Sequence, residues 1–127
     1  MKRFAIVLLL LLIAAVSPAQ STADMRKEAK QDFRKSEENP DKVYQQLLAK
    51  FDEKVEDADL RKRLKTELEQ SEAAWLKYRP LEARIRNDFN TPEGTMSDLS
   101  YLTALQEVTD ERTNQLKKYL KDAMIFE

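Results

Sequence analysis

The sequence predicts an all-α protein, in which an N-terminal signal peptide precedes a small antiparallel helical hairpin or three-helix bundle. The chain of 127 residues contains one glycine and four prolines, which are too few turn residues for a strand-rich fold, and 35% of its residues are charged. Apolar residues also recur at intervals of three and four along three separate stretches. This is the period of helices that each bury one face.

Residues 1–19 have the layout of a secretory signal peptide. Lys2 and Arg3 give the segment a positive start, an apolar run follows, and the small residues Ser17-Pro18-Ala19 precede the expected cleavage site. The alternative is an uncleaved anchor helix, but the apolar run is shorter than the roughly 20 residues that span a bilayer. We therefore expect a periplasmic or secreted protein with no stable membrane anchor after cleavage.

Charge and cysteine content restrict the partners and the sources of stability. The chain has 22 Lys and Arg against 23 Asp and Glu, and loss of the signal peptide makes the balance more acidic. Because nucleic-acid binding usually requires a concentrated basic surface, we expect no nucleic-acid partner. Without cysteine the protein forms neither a disulfide nor a thioether-linked lipid anchor, so its stability must come from packing.

The first predicted helix follows a polar segment. Residues 20–38 are rich in Lys, Glu, Asp and Gln, and two interpretations stay open, a short amphipathic helix or a frayed leader. Asn39-Pro40-Asp41 then predicts a break and a helix start, because proline suits the first turn and Asn or Asp caps it. This helix ends near Lys54 and opens a domain predicted over residues 39–127. Its apolar face comprises Val43, Tyr44, Leu47, Leu48, Phe51 and Val55.

The second predicted helix carries the strongest periodic signal. Asp57-Ala58-Asp59 places acidic residues at its start, where they complement the helix dipole. Pro80 predicts a kink or break, because proline lacks the N–H and crowds the preceding turn. We expect the apolar stripe to face the core, and it comprises Leu60, Leu64, Leu68, Trp75, Tyr78, Leu81, Ile85 and Phe89.

The main loop is predicted between Asn90 and Ser97, a stretch that contains Pro92 and the single glycine, Gly94. A weak capping box of Thr95 and Asp98 opens the third helix. Since each helix needs a partner for its apolar face, we expect the second and third helices to pair antiparallel, with the first packed across them. The recurring face of the third helix comprises Leu99, Leu102, Leu105, Val108, Arg112, Leu116, Tyr119 and Ala123.

The residue types present argue against catalysis. The chain has no His and no Cys, which removes the commonest general base, the thiol nucleophile and most zinc sites. Its carboxylates form no catalytic or calcium-loop pattern, and solvated helix faces explain pairs such as Glu67 and Glu72 better than acid/base chemistry does. We predict that the protein is not an enzyme and has no catalytic residue, metal site or cofactor.

Two segments resemble a known family. One contains Trp75, Tyr78 and Arg79, and the other is the Thr109-x-x-Arg112-x-x-x-Leu116 element beyond the glycine-bearing loop. Over roughly residues 41–120 the chain resembles the LprI-type lysozyme-inhibitor domain, a family of small exported bacterial helical domains. Its members usually carry a cysteine on each side of the loop, and this chain has Ala83 and Ala104 at the matching positions. The resemblance implies that those cysteines form one disulfide between the two helices.

The resemblance implies a protein partner, with lysozyme-type glycosidases as the candidate target of a non-covalent block. A periplasmic helical interaction or chaperone-like module without inhibitory activity remains the alternative, and the oligomeric state stays open.

The residues of the two family elements are predicted to be structural. We expect Trp75 and Tyr78 in the core. Arg79 and Arg112 are expected to pair with carboxylates, such as those of Glu82 or Glu111, or with carbonyls near the loop. Recognition is predicted in the loop, because protruding loops on a rigid scaffold commonly carry it. Its candidate residues are Asn90, Thr91, Glu93, Gly94 and Thr95.

Overall fold

The computed structural model describes residues 18–90 and 97–123, with the side chains of residues 22–90 and 98–123. This part of the chain forms three helices and no strand: α1 Pro18–Lys54, α2 Ala58–Asn90 and α3 Ser97–Ala123. The all-α prediction is therefore confirmed. The predicted signal peptide lies outside the described residues except for Pro18 and Ala19.

α3 is the central packing partner of the bundle. It packs most extensively against α1 and next against α2, whereas α1 and α2 contact each other least. Consecutive helices run antiparallel, so α1 and α3 run parallel. An ion pair joins their starts, with Arg26 Nε 3.0 Å from Asp98 Oδ2. The predicted pairing of the second and third helices is present, but the first helix packs along the third rather than across both.

The core has two parts, one towards each end of the bundle. The larger part joins the second half of α1 to the start of α2 and the end of α3. Its buried members are Val43, Leu47, Phe51, Val55, Leu68, Leu116 and Ala123. The smaller part joins α2 and α3 near their connecting loop, with Phe33 of α1 packed against it. Its buried members are Ala83, Ala104 and Leu105.

The predicted break at Asn39-Pro40-Asp41 is wrong, because α1 continues through Pro40. A proline inside a helix removes a hydrogen bond and costs about 3 kcal/mol unless packing compensates. Here Pro40 and Ser36, one turn before it, are both buried, and Phe33 contacts the smaller core part. Residues 22–38 are therefore part of the continuous helix α1, although most of their side chains are exposed.

The start of α2 follows the sequence prediction. Asp57 Oδ1 accepts hydrogen bonds from the backbone N–H groups of Asp59, at 2.9 Å, and Leu60, at 3.1 Å. The carboxylate thus caps two N–H groups that have no partner within the helix. Further along, α2 continues through Pro80, so the predicted break is absent.

The second half of the α2 stripe does not face the core. Tyr78, Leu81, Ile85 and Phe89 are exposed by 49%, 57%, 51% and 84%. The face of α2 that packs in this half carries small or polar residues instead, among them Ala83. Because Ala83 and Ala104 lie in one cluster, the helices meet there through small side chains, and the larger apolar residues point away.

Candidate functional site

Arg112 lies buried between α3 and α2. Its side chain is only 3% exposed, and it donates hydrogen bonds to Gln115 Oε1 at 2.7 Å on its own helix. Across the interface it donates to Ser71 Oγ at 3.2 Å and Glu72 Oε2 at 3.0 Å. A buried cation needs such partners, because an unpaired charge in the interior is strongly destabilising. Its Nε has no hydrogen-bond partner among the described residues.

The Thr109-x-x-Arg112-x-x-x-Leu116 element places its three named residues on one buried face of α3. The Thr109 hydroxyl donates a hydrogen bond to the backbone carbonyl oxygen of Leu105 at 2.7 Å. The Thr113 hydroxyl donates likewise to the backbone carbonyl oxygen of Thr109 at 3.1 Å. These bonds satisfy buried hydroxyl groups that would otherwise cost free energy. The element thus carries the Arg112 network and two locally bonded hydroxyl groups within an otherwise apolar interface.

Trp75 links this network to α1. The guanidinium carbon of Arg112 lies 5.9 Å from the centre of the Trp75 ring, and that of Arg79 lies 5.0 Å away. Arg79 also lies 5.7 Å from the ring of Phe33 and pairs with Glu37 of α1 at 3.2 Å. Contacts of this kind combine ring packing with attraction between a cation and an aromatic face. Through these contacts, Trp75 and Arg79 of α2 connect all three helices.

Arg79 and Arg112 do pair with carboxylates, but these belong to Glu37 and Glu72. The two carboxylates named in the prediction, Glu82 and Glu111, bind Arg86 instead. Its Nη atoms donate to the two Glu111 oxygens at 2.9 and 3.0 Å, and its Nε donates to Glu82 at 3.2 Å. Hydrogen bonding to Glu111 raises the pKa of Arg86 above its ordinary value, although desolvation acts in the opposite direction. We name Arg86 with Glu82 and Glu111 the Arg86 clamp. The only signal for it in the sequence was the i,i+4 spacing of Glu82 and Arg86.

An open groove of about 480 Å³ lies between α2 and α3 above the Arg112 network. Tyr78 lies at its edge, half-exposed, so the prediction of Tyr78 in the core is wrong, while Trp75 is partly buried. Aromatic walls with a few polar groups are typical of binding sites. The groove is lined by Ser71, Ala74, Trp75, Tyr78, Val108, Glu111, Arg112 and Gln115.

The predicted recognition loop follows α2 directly. Asn90 is the last residue of α2 and is exposed. The other candidates, Thr91, Glu93, Gly94 and Thr95, lie outside the described residues. Phe89, the most exposed large apolar side chain described, immediately precedes this loop.

Two site classes find no counterpart in the described part of the chain. The residues there form no group of three or more His, Cys, Asp or Glu side chains that would hold a metal ion. The helices described are also not long and apolar enough for any of them to cross a membrane.

Comparison with known proteins identifies the family. A family model described as Lysozyme inhibitor LprI matches residues 14–116, which include α2 and both elements around Trp75 and Arg112. No curated protein and no solved structure matches the chain. Since the family model covers most of the sequence, the chain belongs to the LprI lysozyme-inhibitor family.

Proposed function

We propose that the protein is an exported, non-enzymatic binding protein that inhibits a lysozyme-type glycosidase without covalent chemistry. The observation that carries the proposal is the family match over residues 14–116. Export is supported by the signal-peptide layout of residues 1–19. Purification of the processed protein from the periplasm or medium, with an N-terminus at Gln20, tests this part of the proposal.

The proposed contact surface is the loop that joins α2 to α3. The two helices that the loop joins are also connected by Arg86, which binds Glu82 of α2 and Glu111 of α3. Glycosidases of this class hold two catalytic carboxylates in an open cleft, so an inserted loop blocks access without reacting. Glu93 adds a negative charge to the loop and favours a cationic cleft.

The chaperone-like alternative predicts a broad apolar patch on the first helix or on residues 21–38. Among the large apolar side chains described in α1, only Met25 is exposed. One exposed methionine is well below the several hundred Å² of a docking patch. The first helix therefore gives this alternative no support, whereas the family match supports inhibition.

A lytic assay tests the inhibition. The processed protein at micromolar excess over a c-type lysozyme should slow cell-wall lysis. Glu93→Lys should weaken inhibition at least tenfold, because it reverses a charge within the contact. Glu56→Lys makes the same change at the exposed link between α1 and α2, distant from the loop, and should have no effect. Unchanged lysis in the presence of the native protein contradicts the proposal for that class of enzyme.

A further inference from the structure

Half of α2 presents an apolar stripe to solvent. We name Tyr78, Leu81, Ile85 and Phe89 the exposed stripe. Their spacings of three, four and four residues place them on one face of the helix. From their exposed fractions and ordinary side-chain sizes, they leave about 400 Å² of apolar surface in water. A continuous patch of this size on a small protein typically marks an interaction surface.

We propose that the exposed stripe is the interface of a homodimer, in which α2 packs antiparallel against α2 of a second copy. In this arrangement Tyr78 meets the partner's Phe89, and Leu81 meets the partner's Ile85. Each pairing then occurs twice, as a two-fold axis requires. The aromatic rings lie at both ends of the interface and the aliphatic side chains at its centre. The stripe is therefore complementary to itself in shape.

Charges beside the stripe are complementary across the antiparallel dimer. Lys77 and Asp88 are exposed on the same flank, near opposite ends of the stripe. Antiparallel pairing brings Lys77 of each copy towards Asp88 of the other. Arg84 lies on this flank close to the two-fold axis, where it faces its own symmetry mate. That repulsion lowers the affinity without changing the geometry.

The area of the patch sets the expected strength of the dimer. Two copies would bury about 800 Å² of apolar surface, and flanking polar side chains would bring the total close to the roughly 1,200 Å² at which specific interfaces begin. Because much of this gain offsets the entropy lost on association, we expect a dissociation constant in the micromolar range.

Sedimentation of the processed chain over a range of concentrations tests the dimer. The native protein should shift from monomer to dimer as its concentration rises into the submillimolar range. Leu81→Glu should raise the dissociation constant more than tenfold. Leu76→Glu is the matched control, because Leu76 lies on the same helix with a similar exposure of 52% but off the exposed stripe. It should leave the dissociation constant unchanged.

Single cysteines test the geometry, since the native chain has none. With a short thiol cross-linker, Arg84→Cys should form a covalent dimer, because the two copies of this position flank the axis. Lys77→Cys alone should not, because its two copies would lie about 19 Å apart along the helices. A mixture of Lys77→Cys and Asp88→Cys should cross-link.

Two outcomes overturn the inference. One is a native protein that sediments as a monomer throughout the concentration range. The other is a dimer that Leu81→Glu and Leu76→Glu affect equally. If Leu81→Glu abolishes lysozyme inhibition while the native chain is monomeric, the stripe binds the glycosidase and not a second copy. Neither sedimentation nor cross-linking requires a glycosidase. The two experiments therefore test the dimer independently of the proposed inhibition.

Discussion

The two halves of α2 differ in the burial of their large apolar side chains. In the first half, Leu68 is buried in the larger core part against Leu47 and Leu116. In the second half, Leu81 is exposed, while Ala83 forms the contact with Ala104. Where two helices meet through alanines, the backbones approach closely and the large side chains have no room between them. The size of the residue on the facing helix thus decides which face of α2 is buried.

The largest expected difference in the free energy of unfolding is between truncating a leucine of the larger core part and truncating one of the exposed stripe. Leu116→Ala should lower the free energy of unfolding by about 4 kcal/mol, because Leu116 is fully buried and its removal leaves a cavity. Leu81→Ala should change it by no more than about 0.5 kcal/mol. Urea unfolding, measured where the native protein is monomeric, compares the two. Equal losses would show that the second half of the stripe is buried after all.

Substitution in the polar contact between Arg112 of α3 and Glu72 of α2 should also lower stability. Arg112→Met should lower the free energy of unfolding by about 3 kcal/mol, because it leaves the partly buried Glu72 without its cation. The double variant Arg112→Met with Glu72→Gln should recover part of this loss. If the double variant is no more stable than the single one, the pairing with Glu72 is not what makes Arg112 important.

A disulfide between the alanines would strengthen the half that lacks large core residues. Ala83→Cys with Ala104→Cys should form a bridge, because both alanines are buried in one cluster. Closing a loop of this length should raise the free energy of unfolding by about 3 kcal/mol under oxidising conditions. Mass spectrometry detects the bridge, and addition of a reductant should remove the gain. Two free thiols in the folded oxidised variant would show that the two positions do not meet.

The smallest expected change in stability comes from Asp110, which lies on α3 beside α1. Desolvation raises the pKa of Asp110, so the folded protein binds this proton more readily than the unfolded chain does. Stability linked to Asp110 therefore falls as the pH rises from the unfolded pKa through the folded one. Asp110→Asn should be slightly more stable than the native protein at neutral pH, and the difference should shrink in acid. A difference that instead grows in acid would contradict the sign of the shift.

The sequence predicted the class of fold and the family but not the faces of the helices. Periodicity located α2 and α3 because their apolar residues recur regularly, and Asp57 marked the start of α2. It failed at Pro40 and Pro80, where packing maintains a continuous helix through a residue that disfavours one. It also placed Leu81 in the core, since hydrophobic period alone does not show that the facing helix carries Ala104.

The site was predictable to a similar extent. The family resemblance selected Trp75 and Arg112, and both line the groove between α2 and α3. Their partners were not evident, because Glu72 lies 40 residues from Arg112 in the chain and only the tertiary fold brings them together. The clamp of Arg86 was missed for the same reason, although its contact with Glu82 has a spacing that the sequence displays.

Because α2 and α3 meet through Ala83 and Ala104, their packing does not depend on the redox conditions around the protein. Relatives with a cysteine at each of these positions would depend on an oxidant to complete their fold. Here the two helices are joined by van der Waals contact and by ion pairs, neither of which responds to thiol reagents. The fold should therefore form without disulfide-forming enzymes and persist in a reducing environment.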